Sequence, residues 1–187
     1  MAREVPPIES ERLTLVPMSQ AFLEACLAGD QALASRLLDF TIPPEWFAQH
    51  QLMELRLAQL QRDPNLLPWL LRAIGLRKER MMIGHIGFHT YPDPDYLREV
   101  APGGVEFGCT VFAPFRQRGY ATEACDAIMT WASCEHAVPR FVLTISPDNL
   151  PSLRIARHFG FQKVGRHVDE VDGPEDIFLR EVKDAGS

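Results

Sequence analysis

The stretch V-E-F-G-C-T-V-F-A-P-F-R-Q-R-G-Y-A-T-E-A-C-D-A-I-M-T-W-A, from Val105 to Ala132, decides the fold of this chain. Apolar residues alternate with other residues from Val105 to Val111, which predicts a strand with one apolar face. A basic loop follows, Arg116-Gln117-Arg118-Gly119. Apolar residues then recur at helical offsets from Ala121 to Ala132, which predicts an amphipathic helix. A strand therefore leads through a basic, glycine-containing loop into a helix.

This arrangement suits the binding of an anion. The first-turn amides of a helix have no intrahelical partner, and the helix dipole adds positive charge there. A phosphate can be held by several of these amides, and Gly119 lets it approach the main chain closely. The chain contains neither G-x-x-x-x-G-K-[ST] nor G-x-G-x-x-G. An ordinary strand-to-helix turn with a glycine explains this stretch equally well on its own.

Three blocks of sequence carry a resemblance to a known family. Arg116 to Ala121 resembles the R/Q-x-x-G-x-G/A acyl-CoA pyrophosphate loop of the GNAT (Gcn5-related) N-acetyltransferase superfamily. The following A-T-E-A, with Thr122 to Ala124, and the start E-S-E-R-L-T-L-V-P-M-S resemble the RimJ/RimL-like branch, which acetylates ribosomal-protein N-termini. Ser146 to Gly165 resembles the family's N-x-x-S/A helix that ends in G-F. The resemblance covers roughly residues 9 to 182.

The order of the predicted elements agrees with the fold that this resemblance implies. One strand, several helices, three strands, a helix, a strand, a helix and two strands follow one another along the chain. They predict an α/β fold with a mixed sheet of about seven strands flanked by helices. The resemblance implies that the sheet is splayed between the strands at 105–111 and 140–145. We expect a single domain over 1–187, with loose tails at 1–9 and 183–187.

Composition restricts the function further. Hydrophobic residues make up 46% and charged residues 24%, which is ordinary for a globular protein with a core. The net charge of -6 argues against general binding of nucleic acid and leaves room for a cationic acceptor. The four cysteines show no C-x-x-C pair, so we expect Cys109 and Cys125 to be small buried apolar residues. No signal peptide or membrane span is visible, so we expect a cytoplasmic protein, as a monomer or a homodimer.

The resemblance assigns acetyl-CoA as the co-substrate and requires no metal. It implies main-chain contacts of the pantetheine arm with Thr110 and Val111, and it places Asn149 opposite the pantetheine and the thioester. The pyrophosphate contacts that it implies come from the basic loop and the helix start, namely Arg116, Arg118, Gly119, Tyr120, Ala121 and Thr122.

The expected chemistry is direct attack of an amine on the thioester, because no Cys-His or Ser-His-Asp arrangement is evident. Glu106 matches the acidic residue that the family uses as a base, and we expect partial burial to raise its pKa; a strand glutamate that points to solvent is the alternative. The family's tyrosine acid is absent, since its position is Ala156. Ser152 is a candidate to assist the leaving thiolate, or it is a first-turn serine that bonds its own backbone.

Two further features invite functional interpretations. His85 and His89 lie on one face of the run from Met81 to Thr90, where a histidine pair could bind a metal or move protons, but no third ligand has matching spacing. The loop from Tyr91 to Gly104 is long for a compact domain, and we expect it to form a wall of the acceptor site.

The favoured function is an acetyl-CoA-dependent N-acetyltransferase that acts on a primary amine, possibly the α-amine of a protein N-terminus. Two alternatives remain at this point: an acetyltransferase for a small-molecule amine, and a non-catalytic module that binds acyl-CoA.

Overall fold

Short polar residues set the starts of several helices. The Ser19 hydroxyl accepts a hydrogen bond from the amide of Phe22 at 3.2 Å, as the sequence predicts. The Asp30 carboxylate does the same for the amide of Leu33 at 2.9 Å. The six α-helices, α1 to α6, are Gln20–Leu27, Gln31–Leu38, Pro44–Phe47, His50–Arg62, Tyr120–His136 and Leu150–His158.

A computed structural model describes residues 5–169 and 173–182 of the chain. Within them, hydrogen bonding orders the strands β1-β2-β3-β4-β5-β6-β8-β7 in one mixed sheet of eight strands. The α/β class, the mixed sheet and the flanking helices expected from the sequence are confirmed. The strands β1 to β8 are Ile8–Glu9, Leu13–Pro17, Leu71–Leu76, Met81–Phe88, Val105–Val111, Arg140–Ile145, Gln162–Asp169 and Gly173–Glu181.

The sheet has eight strands where about seven were expected, because the N-terminal segment adds one. Ile8 and Glu9 were assigned to a loose tail, but they pair with Leu15 and Thr14 of β2. Ile8 is also buried, so this edge strand is held by apolar contact as well as by the ladder. The predicted tail at 183–187 lies outside the described residues.

The sequence also predicts a helix from Pro44 to about Gln61, a strand from Trp69 and a last strand from Ile177, and the structure moves each of these boundaries. The helix expected from Pro44 to about Gln61 is interrupted at residues 48–49, which separates α3 from α4. The strand expected from Trp69 begins at Leu71, because a 3₁₀ turn at Pro64–Leu66 precedes it. The last strand begins at Gly173, which takes a positive φ of 78°, rather than at Ile177.

Strand β5 and helix α5 occupy the stretch that was expected to organise the fold. The parallel pairing of β5 with β6 joins Val105 to Phe141 and Glu106 to Val142. No further pair of these two strands is found among the described residues, although both strands continue. The pairing therefore ends at Glu106, in keeping with the expected splay.

The chain divides into two compact units. The first unit comprises residues 1–87 and 109–128, and the second comprises residues 88–108 and 129–187. In the first unit, Trp46 is fully buried and stacks on Phe22, with 6.2 Å between ring centroids. Burial of such large apolar side chains stabilises a fold by about 1.5–3 kcal/mol each. Cys125 is buried in this unit as predicted, whereas Cys109 is half-buried.

The second unit has its own aromatic core. Phe107 contacts Phe88 and Phe141, at centroid distances of 6.1 and 6.3 Å. These rings hold β5 at the point where it pairs with β6. Across residues 5–169 and 173–182, no helix has the length and apolar character needed to cross a membrane.

Candidate active site

The backbone of the basic loop in the first unit turns tightly before α5. Gln117 and Gly119 take positive φ values of 60° and 80°, a region that glycine enters without a steric penalty. A Cβ atom added to Gly119 would lie 3.3 Å from Nη2 of Arg12. The space in front of Gly119 is therefore bordered by a guanidinium group.

Arg116 has a structural partner within the same unit. Its Nε donates to the carbonyl oxygen of Val111 at 2.8 Å, which fastens the basic loop to the end of β5. This bond occupies the Val111 carbonyl, one of the main-chain groups assigned to the pantetheine arm by resemblance. Thr110 precedes it in β5 and is half-buried.

Arg12 contacts the basic loop, and the sequence-based reasoning missed it. Its Nη1 donates to the carbonyl oxygen of Arg118 at 3.0 Å, and its Nε donates to Glu123 at 2.7 Å. Its guanidinium carbon also lies 4.6 Å from the centroid of the Tyr120 ring. Arg12, which directly precedes β2, therefore connects the start of that strand to the basic loop and to the first turn of α5.

Glu123 is held at this turn by several donors. One carboxylate oxygen accepts from the Ser10 hydroxyl and from the amide of Arg12, each at 2.7 Å. Burial raises the pKa of Glu123, but the bonds from Arg12 and Ser10 outweigh it and the net pKa is lowered. Arg12 thus compensates a carboxylate that would otherwise place negative charge beside an anion site.

The first turn of α5 begins directly after Gly119. Tyr120, Ala121 and Thr122 are half-buried there, and the amide of Glu123 donates to the carbonyl of Gly119 at 3.0 Å. The amides before Glu123 are those that a helix leaves without an intrahelical acceptor. The structure thus places these three predicted residues and Gly119 in one turn of the first unit, with Arg118 directly before it.

Glu106 lies in the second unit and is the meeting point of several elements. Its side chain is 11% exposed, and Oε2 lies 3.4 Å from Nδ1 of His89. Its Oε1 accepts from the Thr144 hydroxyl at 2.5 Å, and Tyr96 forms a further side-chain hydrogen bond to the carboxylate. We call these four residues the carboxylate cluster. The alternative of a glutamate that points to solvent was wrong.

The expected direction of the Glu106 pKa was also wrong. Burial raises the pKa of Glu106. The hydrogen bond and charge of His89, together with the hydrogen bonds of Thr144 and Tyr96, lower the pKa by more than burial raises it. The net pKa is below its ordinary value. The carboxylate is therefore ionised throughout the neutral range.

Asn149 and Ser152 lie at the start of α6 in the second unit. The Asn149 side-chain oxygen accepts from the amide of Ser152 at 3.2 Å, which makes Asn149 the N-cap of this helix. The Ser152 hydroxyl makes no hydrogen bond within residues 5–169 and 173–182, so it is not tied to its own backbone there. Ala156, at the position of the family's tyrosine, is buried.

The two histidines on β4 and just after it have different surroundings. His85 belongs to the first unit, where its ring packs against Trp46 and Phe112 at 5.6 and 6.2 Å. Burial, assisted by the charge of Arg56, lowers the pKa of His85 to about 4. Among the described residues, no group of three or more His, Cys, Asp or Glu is placed to hold a metal ion.

Comparisons with known proteins agree with this geometry. The family model for the acetyltransferase (GNAT) domain matches residues 12–162. An uncharacterized N-acetyltransferase of Bacillus subtilis, YnaD, is 31% identical over 90 residues, which is 48% of each chain. The alignment thus spans about half the length of this curated relative.

Two solved structures share the fold. A candidate GnaT-family acetyltransferase from Bordetella pertussis has a TM-score of 0.67 at 21% identity, with 93% of this chain and 98% of the other covered. RimL, the ribosomal L7/L12 α-N-protein acetyltransferase, in complex with coenzyme A, has a TM-score of 0.63 at 16% identity, with 94% and 98% covered.

Proposed function

Because the chain belongs to the GNAT acetyltransferase family, we propose that it transfers the acetyl group of acetyl-CoA to a primary amine by direct attack. The observation that carries this proposal is the family match over residues 12–162, which includes both the basic loop and Glu106. The acceptors named for the similar proteins belong to those proteins, and the residues of this chain must indicate its own acceptor.

The basic loop supports acetyl-CoA as the co-substrate. Gly119 leaves the main chain open beside the guanidinium of Arg12, and the following amides belong to the first turn of α5. We assign the pyrophosphate to the amides from Arg118 to Thr122, where hydrogen-bond donors and the helix dipole both favour an anion.

Glu106 supports the chemistry of the acceptor. In the proposed reaction the ammonium form of the acceptor gives a proton to Glu106, directly or through water. The amine lone pair then forms the C–N bond with the thioester carbonyl carbon, and the C–S bond breaks. The leaving thiolate takes up the second proton of the nitrogen, so the products are the amide and the CoA thiol. Ser152, whose hydroxyl has no partner among the described residues, is the residue that we assign to stabilise the thiolate, since Ala156 cannot do so.

The lowered pKa of Glu106 favours one class of acceptor. A carboxylate of low pKa is a weak base, so it serves best an amine of which a sizeable fraction is already neutral at pH 7. An α-amino group has a pKa of about 7.7–8.0, whereas that of lysine is about 10.4. We therefore propose an N-terminal α-amine as the acceptor.

Release of CoA thiol from acetyl-CoA, measured across peptides and small amines, tests both parts of the proposal. We expect peptides with a free N-terminus to react faster than the same peptides that are blocked there but carry lysine. Preferential reaction of the lysine peptides or of small amines would overturn the assignment of an N-terminal α-amine as the acceptor. Release that never exceeds hydrolysis, together with a rise in melting temperature on addition of acetyl-CoA, would instead identify a binding module.

A further inference from the structure

The carboxylate cluster brings together side chains from four separate places in the second unit. Glu106 is the last residue of β5 that pairs with β6, and Thr144 lies on β6 two positions beyond the partner of Glu106, Val142. His89 follows β4 directly, and its amide donates to the carbonyl of Glu106 at 3.0 Å. Tyr96 comes from the long loop that was expected to line the acceptor site.

The two oxygens of this carboxylate have different neighbours. Thr144 donates to Oε1, and its hydroxyl does not titrate near neutral pH. Oε2 faces Nδ1 of His89, and an imidazole, unlike a hydroxyl group, can accept a proton on one nitrogen while the other nitrogen donates one. Among the described residues, the titratable groups that meet Glu106 are thus His89 and Tyr96.

The exposed fraction of the side chain differs between Glu106 and His89. The Glu106 side chain is 11% exposed, and that of His89 is 41% exposed. The outer nitrogen of the imidazole, Nε2, lies 3.6 Å from the position of a Cβ atom on Gly108, which is itself exposed. The imidazole therefore reaches from a buried carboxylate to the surface of the second unit.

We propose that His89 is the positioning residue of Glu106 and the group through which Glu106 returns its proton to solvent after each transfer. This inference rests on the proposed function, and it adds a residue to that reaction. Thr144 and Tyr96 hold the carboxylate in place, while the imidazole restores its charge.

The proton balance of this step is simple. The acceptor ammonium transfers one proton to Glu106. In the tautomer that carries hydrogen on Nε2, the lone pair of Nδ1 takes this proton from Glu106 and an imidazolium forms. Nε2 then releases a proton to water, which leaves the ring hydrogen on Nδ1, where it is donated to the charged carboxylate. Tautomeric exchange with solvent returns this hydrogen to Nε2 before the next turnover, so one proton passes from the ammonium to solvent and both side chains regain their initial states.

Steady-state kinetics of the full-length protein with a free N-terminal peptide test the inference. We expect His89→Ala to lower kcat about tenfold, a smaller effect than loss of a base itself, with the KM for acetyl-CoA unchanged. Added imidazole should restore the kcat of His89→Ala and should not restore that of Glu106→Gln. His89→Gln, which keeps a hydrogen-bond donor but cannot relay a proton, should remain slow.

His167→Ala is the matched control, because His167 also lies beside a glutamate, Glu175 at 3.7 Å, and is 45% exposed. It should keep the parental kcat with and without imidazole. Parental kcat in both His89 variants would overturn the inference. A loss that His89→Gln repairs, or that imidazole fails to repair, would show a purely structural role and would also overturn it.

The outcomes separate this inference from the function beneath it. If the parent releases CoA with a peptide and the His89 variants do the same, only the role of His89 falls. If the parent releases CoA with no amine, the proposed function falls and the inference falls with it.

Discussion

The basic loop of the first unit and the carboxylate cluster of the second are built in opposite ways. The loop is a run of neighbouring residues, 116–119, and its main-chain conformation makes it suitable for an anion. The cluster draws Glu106, His89, Tyr96 and Thr144 from four different segments, and its properties come from their side chains. We infer that the loop determines binding of the co-substrate, while the cluster determines turnover.

The largest expected effect breaks the cluster alone. Glu106→Gln keeps the shape and removes the base, so kcat should fall by about 10²- to 10⁴-fold. The Kd of acetyl-CoA, measured by calorimetry, should stay at the parental value. Raising the pH should partly rescue the variant, since the neutral fraction of the amine grows about tenfold per unit below its pKa.

The direction in which the pKa of Glu106 is shifted determines how the rate of the parent protein depends on pH. Because the pKa of Glu106 is lowered in the folded state, the carboxylate is charged at every pH above the ordinary pKa of a glutamate. It gains a proton only at a pH below that ordinary pKa. The fall in parental rate below pH 8 should therefore follow protonation of the acceptor. Glu181→Gln, which removes an exposed partner of Arg140 in the same unit, is the control. Near-parental activity of Glu106→Gln at pH 7 would refute the assignment of Glu106 as the base.

The second prediction breaks the loop alone. Gly119→Val places a branched side chain at a positive φ and fills the approach to the main chain. Loss of one or two hydrogen bonds to a charged group, about 1.5–3 kcal/mol each, should weaken CoA binding on the order of 10²-fold. Acetylpantetheine, which lacks the phosphates, should bind as before.

Gly29→Val is the matched control for this variant. Gly29 has a φ of 75° in the same unit, and an added Cβ would meet nothing within 4 Å. It should therefore carry the same backbone penalty and retain CoA binding. Equal loss of binding in both variants would mean that strain, rather than access to the loop, explains the result.

The third prediction concerns the start of α6. Ser152→Ala removes one hydroxyl and leaves the Asn149 cap on the main-chain amide intact. If the hydroxyl stabilises the thiolate, kcat should fall about two- to tenfold, the value of a single hydrogen bond. Ser133→Ala, which removes a hydroxyl bonded to the carbonyl of Thr130, should leave kcat unchanged. An unchanged rate in Ser152→Ala would show that the thiolate leaves without this residue.

The smallest expected effect is on Arg12. Exposed ion pairs contribute about 0.2–1 kcal/mol, so Arg12→Gln should weaken CoA binding about two- to fivefold and leave kcat at saturation unchanged. Arg98→Gln removes a comparable exposed arginine, which pairs with Asp93 in the second unit, and serves as the control. A larger loss of kcat than of affinity would contradict a role restricted to the loop.

The sequence was sufficient where neighbouring residues make the structure. The alternation from Val105 to Val111, the glycine at 119 and the helical spacing after it are local signals, and the structure confirms the elements that they predict. Ser19 is a local signal of the same kind, since a serine directly before an apolar helical pattern predicts an N-cap.

The sequence was insufficient where distant residues meet. Nothing in the spacing of Ser10, Arg12 and Glu123 shows that they share hydrogen bonds, since 111 residues separate the last two. The pKa of Glu106 was mispredicted for the same reason, because His89 reaches it from the residue after β4 and Thr144 reaches it from β6. Burial alone indicates the opposite direction.

The contact of Arg12 with Glu123 also has a kinetic consequence. It closes a loop of 111 residues, and contacts of such long range form only after much entropy has been lost. We therefore expect this contact to form late in folding. Removing a late contact speeds unfolding more than it slows folding. We therefore expect the loss of Arg12 to raise the unfolding rate more than it lowers the folding rate.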